Sequence, residues 1–388
     1  MAREKEADRY SRFVAATLAQ RIPAILRGTA EGADAEAAKQ LQAIARAVAA
    51  DAPMLLDVAG WPFPGWEDMP ARVNGKRPNA APFFDFEYWM YFRILKAVRF
   101  AETATDPFRR IKHRDLDKHL AWADTALAAT KTLSEGLKLS LGANAHDLSQ
   151  IAGPGSAHEF GLSLLEIDAT KLRRLNIVAD NFGGEFVGDL VLSIVAAEQG
   201  IDVVLHVKPL PIFVSDTTLE DVTLLLDRVG AGSIFGQRLA AAVRVGSIRF
   251  AANPFWAAPQ FLDRLPVEEL GTGEGVLTVL KGDLNYRRAV GDFGGPIETP
   301  FADLAVLPAV PMLSLRSIKS YCVAGITDWP DGVSRTAFPT DGSIVAVQQI
   351  PARSAAGVPT ASAESSSDAA PLLRRALQWL RRGAPRAP

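Results

Sequence analysis

Asn176-Ile177-Val178-Ala179-Asp180-Asn181-Phe182-Gly183-Gly184-Glu185, followed by Phe186-Val187-Gly188-Asp189-Leu190-Val191-Leu192, decides the fold class. Ile177 to Ala179 reads as a short buried strand that ends in two oxygen-bearing side chains. The glycines allow a tight turn, and the apolar periodicity from about Phe186 to Ala197 predicts a helix. The carboxyl end of a parallel strand opens into a crevice where the next helix presents unpaired N–H groups, a place suited to anions. Asp180 and Asn181 at that rim are either hard oxygen ligands for a divalent cation or simply a helix cap and turn.

Working outward, strand-like runs at Val203–Val207, Ser247–Ala251, Gly275–Leu280, Ala305–Leu307 and Tyr321–Ala324 alternate with helical runs, notably Phe186–Gln199 and Thr218–Val229. Such alternation predicts a three-layer α/β/α core with a mostly parallel sheet. The first 150 residues are mainly helical in pattern, with helices expected over Arg12–Arg27 (kinked or joined at Pro23), Ala35–Ala50, Phe83–Ile94 and Asp115–Leu137. Residues 60–82 read as a loop, and Asn144 to Ser149 as a polar cluster. The expected organisation is a helical region over 1–150, an α/β core over 151–350, and a tail over 351–388. Within the tail, Pro351–Ala370 reads as a linker and Pro371–Arg382 as a short basic helix.

Composition narrows the function. The chain has 388 residues, 48% apolar, with a net charge of −2, so its charge makes no case for nucleic acid as main partner. One cysteine, Cys322, excludes an internal disulfide and a multi-cysteine zinc site. The opening residues carry no signal-peptide pattern and no apolar run reaches membrane-spanning length, so a cytoplasmic protein without membrane partners is the expectation. There is no Walker loop, no His-Glu-x-x-His and no Gly-x-Ser-x-Gly elbow. Gly230 to Gly236 imitates a dinucleotide fingerprint, but a helix precedes it where a strand is required.

Three further segments carry candidate chemistry. His206 to Thr218 contains Lys208 and Asp216, and Asp216 lies one strand–helix unit after Asp180. In a parallel sheet Asp180, Asn181 and Asp216 can therefore reach one crevice as an oxygen-only site for magnesium or manganese. Around Asp216, one of Ser215 to Thr218 is expected to cap the next helix, and His206 reads as a core residue. Lys281-Gly282-Asp283-Leu284-Asn285-Tyr286-Arg287-Arg288 either hydrogen-bonds a polyhydroxyl ligand or forms an exposed turn. Arg316 and Lys319 either neutralise a phosphate, one as a fork and one as a point charge, or are ordinary surface.

Together these segments resemble the metal-dependent damage-control phosphatases, subfamily III, the group also described as acidic-residue or protein-glutamate methyltransferases. The resemblance rests on Asp180-Asn181-x-Gly183-x-Glu185, on His206-x-Lys208-x-x-Pro211-x-Phe213-Val214-Ser215-Asp216, on Lys281 to Arg287 and on Arg316-Ser317-Ile318-Lys319. Arg21-Ile22-Pro23, Phe86-Glu87-x-x-x-Tyr91-x-Arg93 and Asn144-x-x-Asp147-Leu148-Ser149 add to it. Two departures are a Ser317 for the family's Thr and Phe182-Gly183-Gly184 for its Ala-Gly-Phe. The resemblance implies a divalent metal (manganese above all, with cobalt, nickel or magnesium as alternatives) held by Asp180, Asn181 and Asp216, with Lys319 at the reacting phosphate. It implies Glu185, Asp283, Leu284, Asn285, Tyr286, Arg287, Arg316 and Lys319 at the substrate. The implied reaction is hydrolysis of sugar phosphates such as fructose 1-phosphate by activated water. A carboxyl methyltransferase using S-adenosylmethionine and a non-catalytic sugar-phosphate binder are the alternatives.

Overall fold

A computed structural model describes residues 10–353 except 115, 146–157, 230–231, 327–328 and 336. The expected cluster at Asn144–Ser149 therefore falls mostly outside the described residues, as do the tail after residue 353 and part of the Gly230–Gly236 segment. The longer helices of the N-terminal part are α1 (residues 10–30), α2 (Ala35–Ala49), α3 (Phe83–Ala97), α4 (Leu116–Ala129) and α5 (Leu133–Ala145), and short helical turns occur at Met69–Val73, inside the stretch expected to be a loop, and at Phe100–Thr103 and Arg109–His113. Asp34 starts α2 by accepting the Ala37 N–H. In α1, residues Thr17–Arg21 form a π-helical turn just ahead of Ile22 and Pro23, so the expected kink or join at Pro23 falls where two helical forms meet. Helix α3 is buried on nearly every side, which its aromatic run Phe83 to Phe92 foreshadows.

After β1 (His158–Phe160) the chain alternates: β2 (Arg174–Val178), α6 (Gly184–Glu198), β3 (Asp202–His206), α7 (Leu219–Arg228), α8 (Ile234–Val245), β4 (Ile248–Ala251), β5 (Val276–Lys281), α9 (Gly282–Val290), β6 (Met312–Ser317) and β7 (Ile344–Ile350). The sheet order is β1-β7-β6-β5-β2-β3-β4, parallel throughout except between β6 and β7. This is the α/β fold with a mostly parallel sheet and a helical N-terminal region. From β2 the chain winds outward through β3 and β4, then returns to place β5 on the other side of β2. The loops after β2 and β5 thus diverge at a topological switch point, where open α/β sheets bind ligands.

Side chains alternate across the pleat. Leu175, Ile177, Val203, Leu205 and Val279 join a core under α4, α5, α6 and α8. Val178 and Leu280 join a second core with Trp256, Tyr286 and Cys322 on the other face. A third core joins α1 to α3 with Leu210, Ile212, Phe213 and Leu284, so the helical part packs onto the loops at the carboxyl edge of the sheet.

Several expectations need correction. Ala305–Leu307 and Tyr321–Ala324 are not strands. The first runs into Pro308, which cannot donate to a ladder. The second is apolar because it is buried, and the Tyr286 hydroxyl takes its backbone N–H at Ala324. The strands β1, β6 and β7 went unread. In β6 the polar Ser314, Arg316 and Ser317 hide a strand that is buried at all six positions. The helices expected across Asp115–Leu137 are α4 and α5, separated between Ala129 and Leu133.

His206 is a core residue, as read, with its ring against Trp256 and one nitrogen 3.4 Å from Asn176 Oδ1. Burial, aided by Arg174, lowers its pKa to about 4. The unfolded chain takes up that proton near pH 6.5, the folded chain only near 4. Stability from this group is therefore full above pH 6.5 and falls as the pH drops toward 4. Between pH 7 and 5 the wild type is expected to lose about 2 kcal/mol more than His206→Gln, read from urea midpoints. Equal losses in the two proteins would refute this.

Candidate active site

Beyond Val178 the chain runs through Ala179 to Asp180 and Asn181 at the carboxyl end of β2. Helix α6 follows Gly183, whose φ of 93° and ψ of −135° suit glycine alone, and no side chain caps it. Asp180 and Asn181 are therefore not its cap. Thr218 caps α7 instead, in a reciprocal capping box with Asp221.

The end of β2 and the segment that leads into α7 are knitted together. Phe182 N–H donates to Ser215 O at 2.7 Å, Thr217 N–H donates to Asp180 O at 2.8 Å, and Asn181 bridges Asp216 in antiparallel fashion. This small ladder sets Asp180, Asn181 and Asp216 on one cleft of about 130 Å³, which Asp283, Leu284, Arg287, Lys319 and Ser215 also line. From the helical part come Phe13, Arg21, Phe83 and Glu87. Of these the sequence marked Arg21 and Glu87 only through the family resemblance, and Phe13 and Phe83 not at all.

Behind the rim lies a buried polar network. Asn181 Nδ2 donates to Asp180 Oδ2 (3.0 Å) and Glu185 Oε2 (2.9 Å), while its Oδ1 accepts from Ser215 Oγ at 2.5 Å. Lys281 is fully buried, 3.1 Å from Asp189 and 3.5 Å from Glu185, and donates to Ser140 O and Oγ. Lys208 forms a buried ion pair with Asp216 and lies over the Phe213 ring. Arg287 joins Glu87 and Asp292, each at 2.6 Å, and Arg316 donates to Asp283 at 2.7 Å.

The expected substrate residues thus divide. Asp283, Leu284, Arg287 and Lys319 line the cleft. Glu185 stands behind Asn181. Asn285 is buried with its Nδ2 on the carbonyls of Lys281 and Ala179. Tyr286 lies under the Arg316 guanidinium, 3.3 Å from ring centroid to Cζ. Arg316 is buried against Asp283, so its nearest anion is a carboxylate of the protein. The Lys281–Arg288 stretch is a buried helix start, not an exposed turn.

Burial, reinforced by the negative charge of Glu185, pushes the Asp180 carboxyl up to about 7, against the pull of Lys319, Lys208 and Lys281. Burial likewise lowers Lys208 to about 7. An ionised Asp180 is costly here unless a cation joins it. Among the described residues no group of three or more His, Cys, Asp or Glu side chains is placed to hold a metal. The oxygen-bearing side chains that share the cleft are mixed, the Asp180 and Asp216 carboxylates with the Asn181 amide, hard donors of the kind that manganese or magnesium takes.

Gly282 fixes how closely β5 approaches this rim. At φ +80°, a Cβ there would lie 1.9 Å from Asp180 Oδ2. Gly282→Ala is expected to displace the Asp180 carboxylate and cost about 1–3 kcal/mol from the left-handed backbone. Turnover should fall with it, and wild-type turnover in that variant would show that the carboxylate need not sit there.

The fold and cleft define an α/β protein with a cleft of carboxylates, an amide and cations at the switch point of its sheet. The chain belongs to the ARMT1-like damage-control phosphatase domain family, whose profile matches residues 17–332. Damage-control phosphatase ARMT1 of Macaca fascicularis is 30% identical over 173 residues, 41% of this chain and 39% of that protein. The Homo sapiens protein of that name is 30% identical over 167 residues, 39% of this chain and 37% of that one. The matched part thus spans about two-fifths of the length of these relatives. A crystal structure of a DUF89 family protein from Pyrococcus horikoshii aligns at a TM-score of 0.45 and 14% identity, covering 79% of this chain and 90% of that one.

Proposed function

We propose that this protein is a metal-dependent phosphomonoesterase acting on compact sugar phosphates, fructose 1-phosphate and related ketose phosphates in particular. The observation that carries this reading is the convergence of Asp180, Asn181 and Asp216 on one cleft with the Lys319 ammonium. When bound there, a divalent cation, manganese first, supplies positive charge against the phosphoryl group and acidifies water.

The protein's own groups have separable tasks. Lys319 takes phosphate charge. Asp283, held by Arg316 and by the Lys319 N–H at 3.4 Å, offers a fixed carboxylate to sugar hydroxyls. The Glu87–Arg287 pair does the same from α3 and α9, and Phe13, Phe83 and Phe213 give the cleft an apolar wall. Of the two carboxylates that can accept a proton near the reacting phosphate, Asp283 lines the cleft and Glu185 lies behind it. The small volume favours a compact phosphate over a nucleoside cofactor. On this reading the region up to about residue 150 is a cover whose α1 and α3 complete the cleft, and residues 151–350 form the catalytic core.

Phosphate release from a panel of sugar phosphates tests the reading, with metal-stripped protein and with manganese, cobalt, nickel or magnesium restored. Release that needs metal and favours ketose phosphates is expected. Silence across the panel with every metal would overturn it.

A further inference from the structure

The cations around the cleft are unequally neutralised. Lys208, Lys281, Arg287 and Arg316 each face a carboxylate of the protein. Among the described residues, the side chains of Arg21 and Lys319 make no hydrogen bond and no ion pair, yet both line the cleft beside Asp180. A guanidinium left without an anion at the rim of a cleft is placed for an anion from outside.

How Arg21 reaches the cleft follows from helix geometry. Pro23 would crowd the carbonyl four residues back in a regular helix. The chain instead widens just ahead of it, and the Ile22 N–H bonds to Thr17 O, five residues back. Such a turn absorbs one extra residue. Residues eight apart on a regular α-helix point about 80° apart, and those seven apart about 20°. With one residue absorbed, Phe13 and Arg21 stand as if seven apart, and both face the cleft. The start of α1 is also fastened: Tyr10 Oη donates to Asp292 at 2.8 Å, and the Phe13 ring meets Phe83 and Tyr321 edge-on.

We propose that the π-helical turn Thr17–Arg21 is a positioning device that aims Arg21 into the cleft, where its guanidinium contacts the substrate phosphate alongside Lys319. This rests on the phosphatase reading and adds a second phosphate-binding cation, supplied by the helical region.

The test uses the full chain loaded with manganese and inorganic phosphate as probe, with binding measured by calorimetry. Arg21→Met is expected to weaken phosphate binding roughly ten- to a hundred-fold, the range for a charged hydrogen bond. KM for a hydrolysed sugar phosphate should rise in parallel. Because Arg21 is exposed, the thermal midpoint should not move, and Arg21→Lys should recover part of the binding. Deleting Ala19, which closes the turn to a regular helix, should weaken phosphate binding as much as Arg21→Met does. Wild-type phosphate binding in Arg21→Met overturns the inference and leaves the phosphatase reading standing. A deletion variant that binds phosphate like the wild type overturns the role of the turn. Absence of phosphate binding in the wild type with any metal overturns both readings.

Discussion

Replacing Asp180 by alanine is expected to abolish metal-dependent phosphate release, a loss of roughly a thousand-fold or more, while the protein stays folded. The carboxylate is buried, and its ionisation is opposed by burial and by Glu185. Its removal therefore relieves an electrostatic cost in the metal-free protein. The backbone contact that joins the strand ends, Thr217 N–H to Asp180 O, does not need the side chain. Stability should be unchanged or slightly raised, and manganese affinity should collapse. Phosphate release at saturating manganese, with a urea unfolding curve beside it, checks both halves. Full activity in Asp180→Ala would sink the assignment of this carboxylate to the metal.

The second large effect is on stability. Lys281→Met leaves Asp189 and Glu185 buried without their shared cation and removes the donor to Ser140 O and Oγ. Breaking a buried charge cluster from one side costs about 3–5 kcal/mol. The double variant Lys281→Met with Asp189→Leu should regain part of that, since it removes the stranded charge as well. Burial raises the Asp189 carboxyl to about 6 even though Lys281 pulls it down. Urea midpoints of the single and double variants decide the matter. A single variant as stable as wild type would mean that the cluster is held by packing alone.

Much of the candidate site was legible because it sits at strand ends, where local sequence states its own geometry. A buried run, an acid–amide pair, two glycines and an apolar helix can be read without neighbours. Asp216 followed by the same logic one unit later. Other residues were legible in identity but not in task. Arg316, Asn285 and Tyr286 were read as facing substrate, yet each is consumed by a partner that arrives from elsewhere in the chain: Asp283, the Ala179 carbonyl and the Ala324 backbone. Strand β6 escaped because its buried polar residues erase the alternation that marks a strand.

By itself the sequence determined the alternating α/β core, the helical region before it, the family, and Asp180, Asn181 and Asp216 as candidates for one crevice. These rest on periodicity, turn chemistry and short motifs, all of which act within a few residues. The tertiary structure decided which cations are neutralised and which are free, that Lys281 is a buried support, and that α1 and α3 close the cleft. Those outcomes depend on pairings across large separations, such as Arg287 with Glu87, 200 residues apart, and Tyr10 with Asp292, 282 apart. An ion pair is set by distance in space, and a chain read in order does not carry that distance.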